Sequence, residues 1–215
     1  MNVYFLSGLG ADSRAFANLE LPPNCNAFFI EWLDPYRKET LQQYAKRIAS
    51  AIDTSSPFVL IGLSFGGMLA TEVLEYVRPQ KTILISSVAC RNEIPLLYRL
   101  AGITRLNRIL PAKAANRSHF ITYWLLGLTN KKDKGLLQQI LTDTNTRFSK
   151  WAVNEIVNWK RNTVPANIIR IHGTKDRVLP INHFQPQYII QDGGHFMVAN
   201  RAAEVSAVLK TIIDE

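Results

Sequence analysis

One short stretch constrains this chain more than any other: a serine between glycines, placed where a strand pattern changes to a helix pattern. Residues 58–61 are Phe-Val-Leu-Ile, an apolar run typical of a buried strand. Residues 62–66 are Gly-Leu-Ser-Phe-Gly. Apolar side chains then recur at helical spacing, at Ala70, Val73, Leu74 and Val77. This order predicts a tight elbow that holds the Ser64 hydroxyl out of the sheet, above the positive end of the helix.

The turn needs its two glycines, Gly62 and Gly66, because a side chain at either position would clash. A hydroxyl presented in this way is a candidate nucleophile. Two alternatives stay open at this point: a glycine-rich turn whose serine is passive, and a phosphate-binding loop. No Lys-Ser/Thr pair follows the glycines, which disfavours the phosphate-binding loop.

Two later loops contain the partners that a nucleophilic serine requires, a base and a group that orients the base. Residues 168–172 predict a strand, which continues into a His-Gly-x-x-Asp loop containing Asp176. Residues 188–190 predict one more short strand, which is followed by Asp-Gly-Gly and then His195. Ser64, Asp176 and His195 are therefore a candidate catalytic set.

These three motifs resemble those of the α/β-hydrolase fold, in which nucleophile, acid and base follow one another in this order. The family places the acid in a His-Gly-x-x-Asp-x-x-x-Pro loop and the base in a Gly-Gly-His loop, and the resemblance covers nearly the whole chain. It implies Ser64 as nucleophile, Asp176 as acid and His195 as base. Some members place the acid after the preceding strand, which here would point to Glu93.

The remaining histidines are weaker candidates for the base. His172 lies at the end of a predicted strand, ahead of the acid loop, and we expect local hydrogen bonds to satisfy it. His119 and His183 have no motif around them. For His195 itself, the alternative is a histidine in a surface turn.

The resemblance also implies an oxyanion hole made of backbone N–H groups. One would be the N–H of Phe65, directly after the nucleophile. The other would come from the loop after the first strand, where the N–H of Leu9 is the best candidate. The family usually has His-Gly in this loop, whereas this chain has Ser7 followed by Gly8. A glycine turn that only clears the sheet is the alternative.

Strand and helix patterns alternate through most of the 215 residues. Residues 27–32 predict a second strand, and Thr40 to Gln43 predict a capping box that opens a helix. About six apolar strands with helices between them predict a mostly parallel sheet covered on both faces, a three-layer α/β/α fold in a single domain, residues 1–215. The N-terminal hairpin of larger family members has no room in this chain.

Residues 91–164 interrupt the alternation with helical periodicity and few strand signals. The family has a helical lid over the active site at this point, so the resemblance implies that this insertion is a lid. Its aromatic side chains either line an acyl-binding cavity or pack the lid onto the sheet. They are Phe120, Tyr123, Trp124, Phe148, Trp151 and Trp159.

The positive charge of the chain is concentrated in this insertion. It has 13 Lys and Arg against 4 Asp and Glu, a net charge of +9, whereas the other residues carry −1. The excess fits a solvated helical surface, attraction of an anionic substrate, or attraction to anionic lipid or nucleic acid. The chain has no nucleic-acid-binding motif and its basic residues are scattered, so we do not expect nucleic acid as a partner.

Cys25 and Cys90 are far apart in a chain without a secretory signal pattern, which predicts two free thiols and a cytoplasmic protein. No apolar run reaches about 18 residues, so no membrane span is expected. Together these features predict a serine hydrolase without metal or cofactor that cleaves carboxylic esters or thioesters of a small-molecule acyl substrate. The alternatives are a C–C bond hydrolase, an acyltransferase or a lyase on the same fold, or a non-catalytic ligand-binding member.

Overall fold

A six-stranded sheet forms the centre of the fold. The computed structural model describes residues 1–104 and 120–215. The strands are β1 (Asn2–Leu6), β2 (Asn26–Ile30), β3 (Phe58–Leu63), β4 (Lys81–Ile85), β5 (Ile168–Gly173) and β6 (Tyr188–Ile190). They lie in the order β2-β1-β3-β4-β5-β6, and every neighbouring pair is parallel. The predicted parallel sheet of about six strands is confirmed.

The burial of β3 explains why both faces of the sheet are covered. All six of its residues are buried, and alternate side chains belong to two separate cores. Phe58 and Leu60 pack in one core, and Val59 and Ile61 pack in the other. Because successive side chains of a strand point to opposite faces, a strand of this composition needs a layer on each side.

Helices supply both layers. In the described residues the α-helices are α1 (Leu41–Ala49), α2 (Phe65–Val73), α3 (Leu96–Ile103), α4 (Phe120–Leu126), α5 (Lys131–Asp143), α6 (Thr146–Val157), α7 (Met197–Asn200) and α8 (Ala202–Asp214). α1, α2 and α6 contribute to the core that contains Leu60. α5, α7 and α8 contribute to the core that contains Ile61. The α/β/α layering is therefore as predicted.

The start of α1 is set by local hydrogen bonds, and the end of β2 is set by pairing with another strand. α1 begins with the predicted capping box: Thr40 Oγ1 accepts from the N–H of Gln43, and Gln43 Oε1 accepts from the N–H of Thr40. β2 ends at Ile30, two residues before the predicted end at Trp32. It is an edge strand paired with β1, which ends at Leu6, the partner of Ile30, so the pairing ends there.

The described part of the insertion, residues 91–164, is helical and contains no strand. No helix in residues 1–104 or 120–215 is long and apolar enough to cross a membrane. The six aromatic residues of the insertion differ in burial: some pack against the cores, and others are exposed. Phe148 and Trp159 are buried, Tyr123 and Trp151 are partly buried against the cores, and Phe120 and Trp124 are exposed.

The two ends of the insertion are bound to each other and to α2. The N–H of Arg91 donates to Arg161 O (2.7 Å), and the Arg91 guanidinium donates to Trp159 O (2.7 Å). The indole N–H of Trp159 donates to the buried Glu72 carboxylate on α2 (2.7 Å), and Arg161 Nε lies 3.3 Å from the same oxygen. The chain therefore leaves and rejoins the sheet beside the helix that follows Ser64.

Trp159→Phe tests this anchor, because it removes the indole donor and leaves a buried carboxylate with one hydrogen bond fewer. We expect the free energy of unfolding to fall by about 1–3 kcal/mol, measured by urea denaturation. Trp124→Phe, at a half-exposed position, is the matched control and should change it by less than about 0.5 kcal/mol. Equal losses in the two variants would show that the indole hydrogen bond is not what stabilises this region.

Candidate active site

Ser64 occupies a strained turn between β3 and α2. Its φ of 51° and ψ of −119° lie in a region that non-glycine residues rarely adopt. A Cβ at Gly62 would lie 2.5 Å from Gly66 O, and a Cβ at Gly66 would overlap the carbonyl oxygens of Leu6 and Ser7. Both positions therefore admit only glycine, and the close packing of strand and helix holds the serine in its strained conformation.

Ser64, His195 and Asp176 are joined by two hydrogen bonds. Ser64 Oγ lies 2.8 Å from His195 Nε2, and His195 Nδ1 lies 2.8 Å from Asp176 Oδ2. Because a carboxylate only accepts, Nδ1 carries the proton, and Nε2 is left to accept from the Ser64 hydroxyl. The structure thus brings together the three residues that the sequence motifs single out.

Asp176 is buried, and four donors surround its carboxylate. Oδ1 accepts from the N–H groups of Val178 (2.9 Å) and Leu179 (2.8 Å), and Oδ2 lies 2.8 Å from His195 Nδ1 and 3.1 Å from His172 Nε2. Burial opposes ionisation, but the charge of His195 and the hydrogen bonds of both histidines outweigh it, so the pKa of Asp176 lies below its ordinary value of 3.8. The ionised carboxylate can therefore stabilise a positively charged imidazole at neutral pH.

The loop that carries His195 follows β6 and packs against the insertion. The N–H of Phe196 donates to Leu126 O, at the end of α4, over 3.1 Å. Gly194 and Gly127 are also in close contact, since a Cβ on Gly194 would lie 2.8 Å from the Cα of Gly127. The backbone of the insertion thus directly supports the loop of the candidate base.

The loop after β1 lies directly against the serine. A Cβ on Gly8 would be 3.5 Å from Ser64 Cβ. The N–H groups of Leu9 and Phe65, the expected oxyanion donors, are not engaged in a hydrogen bond with any described residue. Both are therefore available to a negatively charged oxygen next to Ser64.

Side chains that the sequence motifs do not reveal hold this loop in place. Ser7 Oγ donates to Ala11 O (2.6 Å), and Trp32 Nε1 donates to the same oxygen (2.7 Å). Thr144 Oγ1, from the insertion, donates to Gly10 O (2.6 Å). Ser7, where the family usually has histidine, closes the loop on itself. Trp32 and Thr144 lie far away in sequence, and no local pattern indicates their contacts.

Glu93, the alternative acid, belongs to a different ion pair. One oxygen accepts from the Arg170 guanidinium (2.8 Å), and the other accepts from the N–H of Ala89 (2.7 Å). Within the described residues neither oxygen contacts His195. The geometry therefore favours Asp176 as the partner of the imidazole.

The other histidines have different surroundings. His172 donates to Leu179 O (2.8 Å), which agrees with the expected local hydrogen bond, and it also lies beside Asp176. His119 and the side chain of His183 lie outside what the structure describes. His195 is thus the described histidine that contacts the serine.

A hydroxyl, an imidazole and a carboxylate are joined by hydrogen bonds at this site, an arrangement that can perform nucleophilic acyl transfer. Within residues 1–104 and 120–215 no three His, Cys, Asp or Glu side chains are grouped so that they could hold a metal ion. Cys25 and Cys90 are both free thiols.

The chain belongs to the alpha/beta hydrolase family, whose model matches residues 3–208. Among solved structures, a thermophilic esterase from Thermogutta terrifontis has a TM-score of 0.76 and 15% sequence identity, with 100% of this chain and 89% of that chain covered. A bromoperoxidase from Bacillus anthracis has a TM-score of 0.73 and 12% identity, with 100% and 92% covered. MenH from S. aureus has a TM-score of 0.68 and 15% identity, with 97% and 91% covered. No curated protein matches the sequence. At these identities the likeness shows the fold alone.

Asp176→Asn tests the ionised state of the buried carboxylate. Because its pKa is lowered in the folded protein, the carboxylate stabilises the fold above about pH 4, and this contribution is lost as the pH falls further. The wild-type advantage in free energy of unfolding should therefore be larger at pH 7 than at pH 2, by about 2 kcal/mol. Urea denaturation across this range measures it; an advantage independent of pH would contradict the lowered pKa.

Proposed function

We propose that this protein is a serine hydrolase that cleaves carboxylic esters or thioesters through an acyl-enzyme. The observation that carries the proposal is the chain of hydrogen bonds from Ser64 through His195 to Asp176, with the serine raised on a strained elbow. Membership of the alpha/beta hydrolase family supports it, and esterases are among the similar solved structures.

In the proposed reaction His195 Nε2 takes the proton of Ser64 while Oγ attacks the acyl carbon. Asp176 keeps the imidazole in the required tautomer and stabilises its positive form. The N–H groups of Leu9 and Phe65 donate to the oxyanion of the tetrahedral intermediate. The imidazolium then protonates the leaving alcohol or thiol, and water activated by His195 hydrolyses the acyl-enzyme. This chemistry requires neither a metal nor a cofactor.

The insertion acts in this proposal as a lid, with α4 forming part of the substrate pocket. Its C-terminal end contacts the loop of His195, as described above. α4 also contacts the loop that carries Asp176. The guanidinium of Arg177, the residue after Asp176, donates to Trp124 O over 2.8 Å and lies 4.4 Å from the centre of the Trp124 ring. Phe120 and Trp124 expose apolar surface that an acyl chain could cover.

Other reactions use the same groups on this fold. The kind of bond that is cleaved is therefore proposed here and does not follow from the fold. A bromoperoxidase and MenH stand among the similar solved structures beside the esterases. C–C bond hydrolysis, acyl transfer, lyase chemistry and non-catalytic ligand binding are the competing functions. The hydrogen-bonded Ser64, His195 and Asp176 favour a catalytic function over ligand binding.

Ser64→Ala should abolish labelling by a fluorophosphonate probe and turnover of p-nitrophenyl esters, because both need the serine oxygen. Ser56→Ala, at an exposed position before β3, is the matched control and should keep both. Urea denaturation should show that both variants fold. Undiminished labelling of Ser64→Ala would exclude Ser64 as the nucleophile, and a wild type that neither labels nor turns over esters would favour ligand binding.

The net charge of +9 on the insertion predicts a preference for anionic substrates. A surface of one sign acts mainly on encounter, so we expect kcat/KM for a carboxylate-bearing ester to exceed that for a neutral isostere. The ratio should be on the order of ten at low ionic strength, and it should shrink toward physiological salt because exposed charges are screened. Steady-state kinetics at both salt concentrations measure it.

A cationic ester completes this comparison, because one cavity beside the loop after β1 is lined by acidic residues, whereas the insertion as a whole is basic. It has a volume of about 200 Å³, and its lining includes the acidic residues Asp12, Glu31, Asp34 and Asp143. If this cavity governs substrate choice, the cationic ester will be preferred. A ratio of anionic to neutral ester that does not change with salt would show that the charge of the insertion does not act on the substrate.

A further inference from the structure

A second histidine contacts the carboxylate that orients His195. His172 is the fifth residue of β5, and it is completely buried. Its Nε2 lies 2.8 Å from Leu179 O and 3.1 Å from Asp176 Oδ2. Because a carbonyl oxygen only accepts, the proton of this ring must be on Nε2, from which it is shared between the carbonyl and the carboxylate.

The two histidines compete for one oxygen of Asp176. Oδ2 accepts from His195 Nδ1 and from His172 Nε2, while Oδ1 is occupied by the N–H groups of Val178 and Leu179. An acceptor that is shared between two donors is less basic toward each of them. The strength of the bond between Asp176 and His195 therefore depends on His172.

The other nitrogen of His172 shows that the ring is placed for its Nε2 contacts. Among the described residues the buried Nδ1 has no hydrogen-bond partner, although an unpaired buried acceptor costs free energy. The ring packs instead against Phe184, edge to face, with 5.1 Å between ring centres. A proton on Nδ1 would find no acceptor among these residues, so the geometry places the proton on Nε2.

Three other titratable side chains of the described residues belong to this region: Arg170, Glu93 and Tyr98. Arg170, on the same strand, lies 4.7 Å from the centre of the Phe184 ring and is neutralised by the buried Glu93. From α3, Tyr98 is partly buried, and burial together with the charge of Asp176 raises the pKa of its phenol, so it is uncharged at neutral pH. Among the described residues, Asp176 is thus the charged group that His172 contacts directly.

We propose that His172 is a positioning residue for the proposed hydrolysis: by sharing Asp176 Oδ2 it fixes the carboxylate in the position from which that carboxylate orients the His195 ring. This inference rests on the proposed function. Without His172, Oδ2 would lose one of its two donors, and the carboxylate would be less well fixed. The imidazole would then be oriented less well, which would lower kcat and leave KM nearly unchanged.

Two variants of nearly equal shape separate positioning from packing. His172→Gln keeps an N–H2 group that can donate to both Leu179 O and Asp176 Oδ2, whereas His172→Met fills the same space without a donor. We expect His172→Met to lower kcat by about ten- to a hundredfold with KM nearly unchanged. His172→Gln, which restores the donor, should keep kcat within about threefold of wild type.

The wild type provides a measurement that does not depend on the folding of a variant. Its ¹⁵N chemical shifts, recorded at the pH of the activity assay, should show a proton on His172 Nε2 and none on Nδ1. A proton on Nδ1 would overturn the proposal. So would equal impairment of His172→Gln and His172→Met, because that result indicates packing alone. Failure of the proposed function is distinguishable, since the wild type would then not react with the fluorophosphonate, whatever the tautomer of His172.

Discussion

The contact between Gly66 and the carbonyl groups of Leu6 and Ser7 is the constraint on which the site depends. It brings the first turn of α2 against the end of β1, with no space for even one methyl group. It therefore brings the helix that begins with Phe65 close to the end of the strand that leads to Leu9, the two residues whose N–H groups we propose as oxyanion donors. The same packing balances the strain in the backbone of Ser64.

The electrostatics of the site depend on which groups surround the carboxylate of Asp176. Asp176 is buried, yet its partners are two histidines and two backbone N–H groups, while Arg170, on the same strand as His172, is bound to Glu93. A permanent cation on the carboxylate would weaken its influence on the imidazole. His172 and the two backbone N–H groups hold the carboxylate in place, and its negative charge acts on His195.

Features set by neighbouring residues could be predicted from the sequence, and features set by distant ones could not. The elbow around Ser64 and the capping box at Thr40 depend on residues within a few positions, so their patterns are visible in the chain. The support of the oxyanion loop by Trp32 and Thr144 joins segments 21 and 134 residues apart, and its geometry depends on how the insertion packs. The end of β2 likewise depends on the length of β1.

The hydrogen bond between Arg91 and Arg161 has a consequence for how such a protein can change over evolutionary time. It joins the first and last parts of a segment of about seventy residues, so this segment leaves and rejoins the sheet at one place. The cost of closing a loop grows slowly with its length, and segments with adjacent ends tolerate replacement. The parts of the insertion away from these ends can therefore change in length and sequence at little cost to the sheet, as long as the contacts of Leu126 with Phe196 and of Thr144 with Gly10 are kept.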